Sequence, residues 1–217
     1  MPSKNAIKTY VENGYYHVYN RGVEKRTIFQ DREDYSKFLY FIKIYLTPLE
    51  ELSKEFPLLR SNLVKNNLSG EVELLALCLM PNHFHLLIKQ NTKVGMTKFL
   101  RQLNTSYSMY FNKRHERVGP LFQGRFKAAN VETDEYLLHL SRYIHLNPLA
   151  RGASLDEFDW SSYLYYLGKK EPVSWLNTNF ISEYFNNSKR GFSYKDFVED
   201  YVDSTPLDSY LTIDSEA

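Results

Sequence analysis

Cysteine is nearly absent from this chain. Cys78 is the only one in 217 residues, so no internal disulfide can form, and its place inside an apolar run suits a reducing compartment. Long apolar runs are missing too: no stretch reaches the roughly 20 residues that a bilayer-spanning helix needs. The start of the chain lacks the basic, apolar, small-residue order of a secretory leader. The expectation is a cytoplasmic protein with no membrane partner. Internal repeats and low-complexity tracts are absent as well, and a chain of this length can bury one good core with a small appendage. Hydrophobic content of 43% and charged content of 24% are ordinary for a globular protein.

Net charge is also scarce, at +1, but that figure hides an asymmetry. From Asp196 to Ala217 there are seven acidic residues and no basic one, which leaves 27 basic against 19 acidic in the rest of the chain. Between Lys98 and Lys127, seven basic residues are opposed only by Glu116, with Tyr107, Tyr110, Phe111, Phe122 and Phe126 interleaved. Basic grooves with aromatic platforms are how single nucleic-acid strands are held. The competing reading is a solvated helix face with its aromatics packed inward. For Tyr107, Tyr110 and Phe111 the core is favoured, since large rings are more often packed than displayed.

The richest local pattern is Met80-Pro81-Asn82-His83-Phe84-His85-Leu86-Leu87-Ile88. Leu74 to Leu79 and Leu86 to Ile88 read as buried strand, with Pro81-Asn82 marking the break between them. Side chains alternate along a strand, so His83 and His85 project together while Phe84 goes to the opposite face. Two imidazoles on one face are half of a divalent-metal site. Histidines satisfied by backbone carbonyls, or lying on a solvent-facing edge, would leave the same pattern.

Downstream, Thr133 to Pro148 reads as a helix. Thr133 is a candidate N-cap, and Asp134 and Glu135 suit the positive end of the helix dipole. Leu137, Leu140 and Ile144 form an apolar stripe, and Pro148 ends the element at Asn147. Tyr143 and Asn147 then stand one turn apart on one face, with His139 a turn earlier. Taken alone, in a chain with eighteen tyrosines, Tyr143 reads more readily as a core-edge aromatic.

A strand carrying His-x-His after Pro-Asn, followed by a helix ending Tyr143-Ile-His-Leu-Asn147-Pro148, resembles the single-tyrosine HUH transposases. These are the insertion-sequence and REP-associated (repetitive extragenic palindrome) enzymes that cut and join single-stranded DNA. Tyr16-His17-Val18-Tyr19-Asn20-Arg21-Gly22, Tyr110-Phe111-Asn112-Lys113-Arg114 and Gly119-Pro120-Leu121-Phe122-Gln123-Gly124-Arg125-Phe126 extend the likeness, which runs from about Tyr15 to Gly152. The resemblance implies a divalent metal, Mg²⁺ or Mn²⁺, held by His83, His85 and Asn147, with His139 the competitor for the third place. It implies Tyr143 as nucleophile, a 5′-phosphotyrosine intermediate and a single-stranded DNA hairpin as partner. The setting would be the bacterial cytoplasm at the nucleoid, with a monomer or homodimer doing the work. Arg21, Lys25, Arg26, Arg114, Arg117, Gln123, Arg125 and Lys127 are the candidate DNA-binding residues. A domesticated, non-catalytic nucleic-acid-binding protein of the same fold is the principal alternative, and a metal hydrolase with a water nucleophile is a further one.

Strands over about Tyr15–Gly22, Val72–Met80, His83–Gln90 and Phe122–Glu132, with helices over about Asp31–Leu46 and Val94–Arg114, give the order βαββαβ. The expected fold class is α+β: a ferredoxin-like antiparallel sheet followed by the tyrosine helix. A catalytic domain over residues 1–152 would carry an insertion at about 47–70. Residues 153–217 would form a C-terminal helical extension, with short helices near Trp160–Leu167 and Trp175–Phe185. Its acidic tail would either fold back and compete with DNA for the basic surface, or be anchored as a helix through Phe197 and Tyr201.

Overall fold

The computed structural model describes residues 10–58, 65–186 and 192–204. Four antiparallel strands form one sheet in the order β2-β3-β1-β4: β1 (Gly14–Arg21), β2 (Val72–Met80), β3 (His83–Gln90) and β4 (Lys127–Val131). Helices α1 (Arg32–Leu46) and α3 (Gly95–Arg114) complete the βαββαβ order, and α4 (Asp134–Leu146) follows the last strand. This is the ferredoxin-like α+β architecture. A short helix, α2 (Leu49–Glu55), lies inside the 47–70 insertion, and Asn67 beyond it donates its side-chain amide to Ile44 O and Thr47 O, closing the C-terminal end of α1. Residues 59–64 of that insertion lie outside the described residues.

The sheet is covered on both faces, which explains the unbroken apolar run of β2. Leu74, Leu77, Leu79, Phe84, Leu86 and Ile88 pack with Phe38 of α1 and Phe99, Leu103, Tyr107 and Phe111 of α3. Leu75, Ala76, Cys78, Met80 and Leu87 pack with Leu137, Leu140 and Ile144 of α4. Each fully buried Leu or Ile contributes roughly 1.5–3 kcal/mol, so the stripe on α4 pins that helix to the sheet. At its start the Thr133 hydroxyl accepts from Tyr136 N at 3.1 Å, the cap that the sequence predicts. Tyr107 and Phe111 are fully buried, as the core reading required.

The C-terminal extension closes the open edge of β2. Leu79 N donates to Trp160 O, Ser162 N to Leu77 O and Asn177 N to Leu74 O, while the Tyr166 hydroxyl caps Leu75 O. An edge strand left bare would be a template for aggregation. Three short helices follow: α5 (Tyr163–Tyr166), α6 (Asn179–Asn186) and α7 (Tyr194–Ser204). The first two are shorter than their expected spans, because Ser161, Ser162 and Asn177 are spent on the strand edge. In α7, Phe197 and Tyr201 lie over Arg142 of α4, the guanidinium carbon 4.4 and 3.8 Å from their ring centres. The first part of the acidic tail is therefore an anchored helix. Residues 205–217, with Asp208, Asp214 and Glu216, lie outside the described residues.

The fourth strand is shorter than expected. Phe122 makes one isolated bridge to Gly22, and regular pairing begins only at Lys127. Gly124, at φ +144°, breaks the extended run between them.

Candidate active site

Residues paired across a sheet share a face, so the register sets out rows of side chains. One row on the α4 side runs Cys78, His85, Tyr19, Lys127, and the next runs Met80, His83, Arg21. His17 stands on the same face, opposite Leu87 and Ala129 and diagonal to His85. The face thus carries three histidines flanked by two cations.

Tyr143 descends onto this face from α4. Its ring meets His85 edge-on, with centroids 5.6 Å apart, and His17 in the same way at 6.0 Å. His83 and His85 have centroids 4.9 Å apart. His85 Nδ1 and His17 Nε2 share a hydrogen bond of 2.9 Å, with both side chains almost entirely buried. The Asn82 Oδ1 lies 2.7 Å from His83 Nδ1 and also accepts from Arg151 at 3.3 Å, while Asn82 Nδ2 donates to Lys25 O. Asn147 is buried directly after α4, where its amide nitrogen donates to Tyr143 O at 2.9 Å. The strand pair and the tyrosine helix of one chain therefore meet without help from a second subunit.

The segments proposed to grip DNA gather at the His83 end of the sheet. Gly22 N donates to Asn82 O, Ile28 N to Pro81 O, Val23 N to Leu121 O and Gln123 N to Arg21 O. The β1 exit, the β2–β3 turn and the 119–126 segment are thereby tied together. Only glycine fits at 22, because a Cβ would lie 2.3 Å from Arg26 O. Glu24 and Lys25 take left-handed backbone angles there, with φ of 55° and 60°. Burial and the nearby Arg26 charge push the Arg117 pKa down; Arg26 itself pairs with Glu24 at 3.4 Å, and Arg117 donates to Asn112. Gln123, Arg125 and Lys127 are exposed, and the Lys127 ammonium lies 5.7 Å from the Tyr19 ring centre.

Two predicted residues stand elsewhere. Arg114 is held by Asp31, Glu33 and the fully buried Asp34, at 2.7, 3.1 and 2.6 Å. These carboxylates raise its pKa, and its hydrogen bond lowers that of Asp31 to about 2; its charge is matched within the protein. His139 is exposed, accepts from Arg142 and lies against Phe197 of α7. Its partners are Arg142 of its own helix and Phe197 of the extension, not the histidine face. His17 is the residue that sequence reasoning passed over. It stood in the quoted Tyr16–Gly22 segment, and its alternation with Tyr19 was visible, but only the β1–β3 register places it beside His85.

Paired strand histidines thus lie under a helical tyrosine on a ferredoxin-like sheet. Residues 10–147 match the sequence description of the family "Transposase IS200 like", a span from just before β1 to the residue after the tyrosine helix. The chain belongs to the IS200-like transposases. Among solved structures it resembles a REP-associated tyrosine transposase bound to a REP hairpin. The TM-score is 0.52 at 14% identity, over 78% of this chain and 88% of that one, a likeness of fold. A Deinococcus radiodurans R1 protein described as a transposase aligns over 64% of this chain and 93% of its own at 14% identity, with a TM-score of 0.37. No curated protein matches the chain.

Proposed function

We propose that this transposase cleaves and rejoins single-stranded DNA beside a hairpin, with Tyr143 as the nucleophile. The observation that carries this reading is the Tyr143 ring standing 5.6 Å from that of His85, within one chain, on the face that also bears Arg21 and Lys127. The similar REP-associated transposase was solved with a REP hairpin, which supports a hairpin as substrate.

His83, His85 and the Asn147 side-chain oxygen are the residues that would hold Mg²⁺ or Mn²⁺. The donor chemistry fits. Each histidine has Nδ1 within hydrogen-bond distance of a neighbouring side chain, so Nε2 would be the atom offered to a metal in both. Among the described residues no cluster of three His, Cys, Asp or Glu could hold a metal, so any ligands beyond the two histidines would be oxygens from Asn147, water or phosphate. A mixed nitrogen and oxygen set suits Mn²⁺ at least as well as Mg²⁺. The cation would act as a Lewis acid on the scissile phosphate.

The protein's own groups supply alignment and charge. A tyrosine hydroxyl has an ordinary pKa near ~10 and is a poor nucleophile without help, so holding it rigidly beside the phosphate matters. Arg21 Nε is buried with no hydrogen-bond partner, next to His83, and its guanidinium would meet a phosphate oxygen. Lys127, Arg125 and the Arg26–Arg117 corner continue that positive path, with Lys25 and Gln123 beside it. Attack by the Tyr143 oxygen on phosphorus forms a 5′-phosphotyrosine and breaks the bond to the 3′ oxygen, which leaves as a hydroxyl. The reverse step rejoins the strand without a nucleotide cofactor. One tyrosine makes one cleavage, so two DNA ends require a homodimer or successive reactions by a monomer. A duplex would first have to unpair and unstack to enter.

The test is a denaturing gel after incubation with labelled hairpin DNA and Mn²⁺. The wild type should carry label covalently, while Tyr143→Phe should carry none, with hairpin affinity within about twofold because only a hydroxyl is lost. Cleavage products without a covalent adduct would point to a water nucleophile and overturn the reading.

A further inference from the structure

We infer that His17 and Asn82 are positioning residues that fix the two strand histidines in the tautomer a metal requires. The inference rests on the metal reading above and deepens it. A neutral imidazole has one protonated nitrogen and one with a lone pair, and only the latter can bind a cation. Which one is protonated depends on what the other nitrogen meets.

At His83 the geometry leaves one choice. Asn82 Oδ1 can only accept, so the hydrogen on His83 Nδ1 points at it across 2.7 Å, and the Nε2 lone pair faces away. The orientation of the Asn82 amide is itself set from both ends: Arg151 donates to its oxygen and Lys25 O receives its nitrogen. At His85 the partner is the Nε2 of His17, 2.9 Å from Nδ1. With His17 protonated on its own Nδ1, its Nε2 accepts from His85 Nδ1–H, and His85 again presents Nε2. His17 is only 4% exposed and packs between Tyr19, His85 and Tyr143, so its ring has little freedom to turn away. The two partners come from different places, one from the turn before β3 and one from the neighbouring strand, yet both face Nδ1. Outer-shell acceptors of this kind typically govern metal affinity by about 10–100-fold.

Two measurements test this. In the metal-free wild type, long-range ¹H–¹⁵N spectra of labelled histidines should show His83 and His85 both protonated at Nδ1; an Nε2-protonated form at either would overturn the inference. Mn²⁺ affinity is then measured by calorimetry without DNA. His17→Leu and Asn82→Leu should each weaken it by about 10–100-fold, whereas His17→Gln and Asn82→Asp, which keep an acceptor, should recover most of the loss at an unchanged melting temperature. If the leucine variants fold and bind Mn²⁺ like the wild type, His17 and Asn82 only pack. If the wild type itself binds no Mn²⁺, the metal reading falls first and this one with it.

Discussion

His85 and His145 are both almost completely buried on the same side of the sheet, and they illustrate opposite uses of an imidazole. His145 gives both ring nitrogens to hydroxyls: Nδ1 to Tyr194 at 2.7 Å and Nε2 to Ser162 at 2.6 Å. Ser162 in turn bonds Leu77 in β2, and Tyr194 donates to Ser141 of α4. The ring is a rivet joining the tyrosine helix, β2 and α7, and burial pushes its pKa down to about 3, so it stays neutral. His83 and His85 each place one nitrogen on a side-chain partner and stand at the foot of Tyr143. His85 and His145 are buried alike and differ in their partners; in the reading proposed above, His85 serves the chemistry while His145 holds the fold.

The largest effects should come from separating the two uses. His85→Ala and His83→Ala should abolish covalent capture and Mn²⁺ binding with little change in melting temperature. His145→Leu should do the reverse: it strands the hydroxyls it served and costs about 1–3 kcal/mol of stability, while Mn²⁺ affinity persists. Loss of Mn²⁺ binding in His145→Leu at a temperature where the protein is folded would break the distinction.

Next comes pH. An ordinary histidine titrates near 6.5, and His145 near 3 when folded. Between those values the unfolded chain binds a proton that the folded chain refuses, so stability falls as pH drops from about 6.5 towards 3. Thermal melts of wild type and His145→Leu across pH 7 to 4.5 should converge as acid removes the advantage of the native residue. A constant gap would mean that the buried ring contributes no pH dependence.

The smallest effects concern cations that are matched within the protein against those presented to DNA. Arg21→Ala and Arg125→Ala should each flatten the dependence of log affinity on log salt by about 0.7, one single-strand phosphate contact. Arg114→Ala should leave that slope alone and lower the melting temperature, because the buried Asp34 loses its guanidinium partner and keeps only His115 and Gln30 N. Equal slope changes for all three would return Arg114 to the DNA path.

Local chemistry alone determined β2 and β3 to the residue, the shared face of His83 and His85 and the Thr133 cap; at Pro148 the chain does not stop but tightens, Asn147 keeping helical angles and a 3₁₀ helix running over Asn147–Arg151. Each depends on alternation or capping, which act over a few neighbours. The Tyr143 and Asn147 spacing was legible for the same reason. The aromatic 122–126 run was misread as strand because ring-rich segments favour extended backbone, while its pairing depended on a partner edge that only β1 supplies. Cation assignments suffered likewise: Arg114 sits in a basic stretch of sequence, but its three carboxylates come from the start of α1, some eighty residues away. His17 met His85, and Tyr143 met both, only because β1 lies between β3 and β4 and α4 crosses that face. Such neighbours are set by register and crossover, contacts between distant parts of the chain, and tertiary structure alone decides them.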